Sequence, residues 1–133
     1  MPDRPTVLFV CYHNANRSQV AAGYLQELAG DRINVQSAGP HPSDELNPDA
    51  VEVMREEGID IASATPTALT DDAITDADVV ITLGCPDAVP VQPGKRHEEW
   101  TLTDNGDRGL DGARHIRDQI QSRTRDLAAD LLS

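Results

Sequence analysis

Thr6-Val7-Leu8-Phe9-Val10-Cys11-Tyr12-His13-Asn14-Ala15-Asn16-Arg17-Ser18 is the stretch on which the fold turns. Its first five residues are a short, continuous apolar run, the pattern of a strand buried on both faces of a sheet. Polar residues follow from Cys11 to Asn16. From Arg17 the spacing becomes helical: Val20, Ala21, Tyr24, Leu25 and Leu28 share one side through Ala29. Gly30 stands where a helix C-terminus favours glycine. The stretch therefore reads as strand, loop and helix.

The same alternation continues along the chain. Ile33–Ser37 reads as a second, weaker strand, and His41–Leu46 as loop. Asn47-Pro48 is a cap followed by a first helical position, and Gly58 ends the helix that they open. Thr70-Asp71-Asp72 caps a short helix running to Ala77. Val79–Leu83 is a third buried strand, Gly84–Gly94 a loop, Arg96–Trp100 a fourth strand and Leu102–Leu110 a loop. Ala113, Ile116, Ile120, Leu127 and Leu131 mark one face of a long terminal helix. Strands alternating with helices imply an α/β domain with a mainly parallel four-stranded sheet between helical layers. The 133 residues suit one such domain, spanning 1–133. Ligands of these sheets sit at the carboxyl ends of the strands, where the loop from Cys11 begins.

Composition narrows the function. Eleven basic residues face 23 acidic ones, a formal net charge of −12. That balance argues against a nucleic-acid partner or an anionic membrane surface. It also fits a plain solvated surface, or a salty cytoplasm. Two cysteines, Cys11 and Cys85, make no secreted disulfide framework. With no signal segment and no membrane span in the sequence, the expected compartment is the cytoplasm.

The segment from Cys11 to Ser18 carries the chemistry. Five residues separate a cysteine at a strand end from an arginine at a helix start. Such a loop can curl round a tetrahedral anion with its backbone N–H groups turned inward, and the helix N-terminus adds further donors. The loop residues Tyr12, His13, Asn14, Ala15, Asn16, Arg17 and Ser18 are therefore the candidate oxyanion cradle. Arg17 can grip two oxygens with a planar fork. The same positive field favours the thiolate of Cys11, its nucleophilic form. Ser18 can donate a hydrogen bond to that sulfur, and Asn14 suits a bridge that holds the loop in shape. The bland alternative is an inert buried thiol and a surface arginine. His13 reads as a shape-setting residue rather than a general base. No cluster has metal-ligand spacing, so no metal is expected.

Val7–Tyr24 resembles the low-molecular-weight protein tyrosine phosphatases and, more closely, the arsenate reductases that share their fold. His13-Asn14, Arg17-Ser18-Gln19 and Ala21-Ala22-Gly23 are similar to the actinobacterial, mycothiol-type branch. The resemblance continues through Ser37-Ala38-Gly39, Asn47-Pro48, Val53-Met54-Arg55-Glu56, Gly58-Ile59-Asp60, Val79–Cys85, Pro93-Gly94-Lys95-Arg96, Trp100–Asp104 and Ile116-Arg117-Asp118. It implies a general acid, Asp104, although Asn105 replaces the proline that usually follows. By itself Asp104 would read as a turn residue.

The resemblance also implies how the reductase cycle ends. Thioredoxin-coupled members use two further cysteines after the third strand. Cys85 is similar to the first, but Val89 stands in place of the second. The expectation is an external thiol, such as mycothiol, with a glutaredoxin-like, mycoredoxin-like or thioredoxin recycling protein. A shorter relay through Cys85 and a purely structural Cys85 both stay open. Ala22 occupies the neighbourhood of a potassium-binding glutamate of some relatives, so no potassium site is expected. Against a tyrosine phosphatase stands Asn105-Gly106-Asp107, which offers no aromatic slot after the acid. The alternatives are phosphoester hydrolysis through a cysteinyl-phosphate, or a non-catalytic oxyanion-binding or thiol-sensing module.

Overall fold

The computed structural model describes residues 4–90, 93–103 and 109–132. Four strands, β1 (Thr6–Val10), β2 (Asn34–Ala38), β3 (Val79–Thr82) and β4 (Arg96–Glu99), form one sheet in the order β2-β1-β3-β4. Every pairing is parallel, so the sheet is wholly parallel among the described residues. The helices are α1 (Arg17–Ala29), α2 (Pro48–Arg55), α3 (Asp71–Asp76) and α4 (Gly109–Leu132).

Strand alternation sends side chains to two separate cores. Val7, Phe9, Val79 and Ile81 meet Leu25 of α1, Met54 of α2, and Ile120 and Leu127 of α4. Leu8, Val10 and Val80 meet Ile74 of α3 together with Ala77, Cys85 and Val89. This is the expected three-layer sandwich. A sheet covered on both sides explains why β1 and β3 are continuous apolar runs. Phe9 is fully buried, with its ring centroid 5.7 Å from that of Trp100.

Local chemistry sets the helix ends. Asn47 Oδ1 accepts from Asp49 N at 2.9 Å, with Pro48 in the first helical turn. Thr70 Oγ1 accepts from Ala73 N at 3.1 Å. Lys95 Nζ crosses from the start of β4 to donate to the carbonyls of Ile74, Thr75 and Ala77 at the end of α3. A lysine there satisfies carbonyls that no helical N–H reaches. Arg114 and Arg117 of α4 both grip Glu56, joining α4 to the end of α2.

Several boundaries differ from the sequence expectations. β2 lies one residue later, because Asn34–Ala38 runs in register with Thr6–Val10. β3 stops at Thr82 and β4 at Glu99, one residue short of the expected ends. Single 3-10 turns occupy Gly30–Arg32 and Pro86–Ala88, within segments read as a cap and a loop. α4 begins at Gly109, inside the segment read as loop to Leu110. Proline and glycine hide such short turns from any reading of hydrophobic period.

The strand order fixes where a ligand can sit. β1 lies between β2 and β3, so the chain departs from β1 toward opposite edges of the sheet. The crevice at the carboxyl ends of β1 and β3 is the switch point that binds ligands in such folds. Cys11 follows β1 there, and Leu83-Gly84-Cys85 follows β3.

Candidate active site

The loop after β1 is pinned from outside by its own carbonyls. His41 N donates to Tyr12 O at 3.0 Å, Ser43 N to His13 O at 3.1 Å, and Asn47 N to Ala15 O at 2.9 Å. In a trans peptide the N–H points opposite to its C=O. The N–H groups of His13, Asn14 and Asn16 are thereby turned away from the 41–47 segment. Loop amides aimed one way make an anion-binding concavity. Gly39 lies hard against this loop: a Cβ there would come within 2.5 Å of Cys11 O and 2.8 Å of Tyr12 O.

Asn14 is the hub. It is fully buried and holds φ at 49°, a left-handed conformation that asparagine tolerates better than most residues. Its Oδ1 accepts from Thr67 N at 2.8 Å and from Gln19 Nε2 at 3.2 Å. Two donors on Oδ1 force the amide nitrogen the other way, and Nδ2 donates to Ser18 Oγ at 2.7 Å. Ser18 Oγ therefore accepts from Asn14 and has its own proton left for Cys11 Sγ, 2.8 Å away. Ser18 N adds a longer approach to the same sulfur, at 3.5 Å. The buried sulfur thus faces the hydroxyl and, at longer range, the amide of Ser18. Asn14 thus bridges the loop through its side chain, and Ser18 lies beside the sulfur.

Cys11 is 6 % exposed and opens on a cavity of about 580 Å³ lined by the loop, by Ser43–Pro48 and by Leu83-Gly84. Arg17, at the start of α1, lines the same cavity. Among the described residues its guanidinium has no hydrogen bond or ion pair, so its donors face an incoming anion unspent. Gly84 lines the same cavity and faces that guanidinium. Its φ is +84°, and a Cβ there would lie 3.0 Å from Arg17 Nη1. Asn16 precedes α1 without a side-chain cap bond and lines the cavity as well.

The cavity mouth is aromatic on one side. Tyr12 is 52 % exposed, and its ring centroid lies 4.7 Å from that of His41 and 5.0 Å from that of His13. His13 Nδ1 donates to His41 O at 2.8 Å, which ties the ring to the neighbouring loop. Trp100 is buried and lies away from any mouth, with Nε1 donating to Glu98 at 3.0 Å.

Cys85 belongs to the opposite core, with Leu8, Val10 and Val89. Its Sγ donates to Val10 O at 3.4 Å. Burial pushes the thiol above its ordinary range, and the neighbouring Cys11 and Glu99 add in the same direction. Val89 is 2 % exposed within that core. Asp104, the expected acid, lies outside the described residues. Among the described residues, no three His, Cys, Asp or Glu side chains converge as a metal site. No described helix is long and apolar enough to cross a membrane.

A cysteine at the end of the first strand, a pinned five-residue loop and an arginine opening the first helix are set on a 2-1-3-4 parallel sheet. Residues 6–133 match the family described as low molecular weight phosphotyrosine protein phosphatase. The chain belongs to that family. Its relatives within the phosphatase family include arsenate reductases. The thioredoxin-dependent arsenate reductase of Corynebacterium glutamicum has a solved structure with a TM-score of 0.86 and 40 % identity, covering 97 % of this chain. This chain spans 62 % of that protein's chain. A putative arsenate reductase of Halobacterium salinarum is 34 % identical over 90 % of this chain and 87 % of its own. The arsenate reductase of Staphylococcus aureus is 35 % identical over 90 % and 92 %.

Sequence reasoning missed part of this phosphatase-family site. In sequence Gly39 reads as part of Ala38-Gly39-Pro40, which closes the second strand, and its approach to the Cys11 carbonyl is a tertiary one. Gln19 and Thr67 support Asn14 from a helix and a distant loop, with no signal in local pattern. Glu99 accepts from Thr82 Oγ1 at 2.9 Å and Gly84 N at 3.1 Å, whereas the sequence places it only within the fourth strand.

Proposed function

We propose that this chain is an arsenate reductase in which Cys11 is the nucleophile and Arg17 with the loop amides binds the oxyanion. The observation that carries the reading is the sulfur of Cys11, 2.8 Å from a serine hydroxyl whose proton Asn14 directs toward it. The naming of the relatives from C. glutamicum, H. salinarum and S. aureus supports arsenate as the substrate. The Cys11 thiolate attacks arsenic, a sulfur–arsenic bond forms, and one oxygen leaves as water with a proton from Asp104. Arg17 and the N–H groups from Tyr12 to Ser18 hold the remaining oxygens and their charge.

An external low-molecular-weight thiol then attacks the Cys11 sulfur. A disulfide forms, the sulfur–arsenic bond breaks with its electron pair on arsenic, and arsenite leaves. A second thiol, on a glutaredoxin-like, mycoredoxin-like or thioredoxin protein, restores Cys11. A mycothiol-like compound is the proposed donor, in a cytoplasm whose thiols are reduced. The external donor is favoured because the chain has only two cysteines and Val89 fills the place of a third. Burial also pushes the Cys85 thiol above its ordinary range, which disfavours the thiolate, the nucleophilic form.

Phosphoester hydrolysis is the second reading, and one observation favours it. Tyr12 stands exposed at the cavity mouth, where an aryl phosphate could stack, whereas Trp100 is buried and cannot serve. The test is arsenite formation by the unaltered chain, Cys11→Ser and Cys85→Ser. We expect turnover to vanish with Cys11→Ser and to persist with Cys85→Ser. Arsenite from Cys11→Ser would sink the reading, and its loss in Cys85→Ser would transfer the second thiol to this chain.

A further inference from the structure

We propose that Glu99 is a positioning residue for oxyanion capture, acting through Gly84 on the guanidinium of Arg17. The inference rests on the oxyanion-binding role of Arg17, and deepens it. Glu99 ends β4 and is paired in register with Thr82 of β3. That pairing brings its carboxylate to the turn that closes β3. Oε1 accepts from Thr82 Oγ1 at 2.9 Å, and Oε2 accepts from Gly84 N at 3.1 Å. Thr82 is fully buried, and the first bond is part-buried.

The turn that is held in this way has one demanding residue. Gly84 has φ +84°, a conformation that glycine adopts without strain. Its Cα faces the Arg17 fork: an added Cβ would stand 3.0 Å from Nη1. Arg17 has no hydrogen bond or ion pair of its own among the described residues. Among the described residues, Gly84 is thus a backbone neighbour that limits where the fork can go. A carboxylate bonded to the N–H of the same residue holds that turn without taking a donor from Arg17. A direct Glu99–Arg17 ion pair would instead compete with the anion. Bidentate grip of a tetrahedral oxyanion depends on the fork's orientation, so a looser turn weakens it.

The experiment is a calorimetric titration of the full chain with inorganic phosphate, run beside the rate of Cys11 alkylation by neutral iodoacetamide. The variants are Glu99→Ala, Glu99→Asp and Glu99→Gln. Glu99→Asp keeps the charge and withdraws the carboxylate by one methylene, and serves if Glu99→Ala does not fold. Glu99→Gln keeps both bonds: its carbonyl accepts from Gly84 N, while its amide donates to Thr82 Oγ1, whose proton turns to Glu98 O. We expect phosphate to bind about tenfold more weakly to the Ala and Asp variants, and within about twofold of normal to Gln. Alkylation of Cys11, governed by Ser18 and Asn14, should change less than about twofold in all three. Normal phosphate affinity in Glu99→Asp would overturn the proposal. So would a parallel fall of affinity and alkylation, which marks general damage. Failure of the unaltered chain to bind phosphate would sink the oxyanion reading itself.

Discussion

Asn14→Ala is the perturbation that strikes the site at its hub. The substitution leaves Thr67 N–H without its acceptor, takes from Gln19 Nε2 one of its two acceptors, and removes the donor to Ser18. A buried polar group left unpaired costs about 1–3 kcal/mol. An alanine held at φ 49° adds about 1 kcal/mol more. The sum is a loss of about 2–4 kcal/mol in unfolding free energy, read by urea denaturation. Reactivity should fall as well. Without Asn14 Nδ2, the Ser18 hydroxyl is no longer directed at Cys11 Sγ, and a hydrogen bond to a charged group is worth about 1.5–3 kcal/mol. That converts to about 10–100-fold slower alkylation of Cys11 at neutral pH. Ser18→Ala should slow alkylation to a similar degree, and the double variant scarcely further, because the two residues act as one chain. Alkylation that stays within about twofold of normal in Asn14→Ala would refute this. So would losses from the two single variants that simply add.

Two other outcomes follow from packing and charge. Gly39→Ala drives a Cβ to 2.5 Å from the Cys11 carbonyl, so urea denaturation should show a loss of at least about 2 kcal/mol; normal stability would mean that the loop can retreat. Arg114 and then Arg117 hold the Glu56 carboxyl down to about 2, outweighing the opposing effect of burial. A carboxyl lowered by folding stabilises fully above the ordinary carboxylate range and loses that contribution as pH falls toward about 2. The Tm gap between the unaltered chain and Glu56→Gln should therefore close as pH drops from 7 toward 2.5, and a constant gap would refute the linkage.

The elements that sequence revealed are those whose cause is local. β1 and β3 are visible because burial on both faces makes them continuously apolar. The start of α2 is visible because Asn47 and Pro48 are the cap and the first turn. The Cys11–Ser18 loop could be read as an anion cradle because strand, loop and helix are consecutive in the chain. What stayed hidden depends on register. Glu99 acquires a role only because β4 pairs with β3 so that residue 99 faces Thr82. Gly39 and Thr67 are brought to the loop by a bridge between Gly39 and Ala68, far apart in sequence. The polar sequence of β4, Arg96-His97-Glu98-Glu99, shows none of this, since the charges that look solvent-bound are engaged in the tertiary structure.

The most direct test of the account is arsenite formation by the purified chain with each donor supplied alone. Mycothiol, glutathione, bacillithiol and thioredoxin would each be offered with its recycling enzyme. The account predicts arsenite with a small thiol and none with thioredoxin alone. Release of phosphate from an aryl phosphate, with no arsenite from any donor, would contradict it and make the protein a phosphatase.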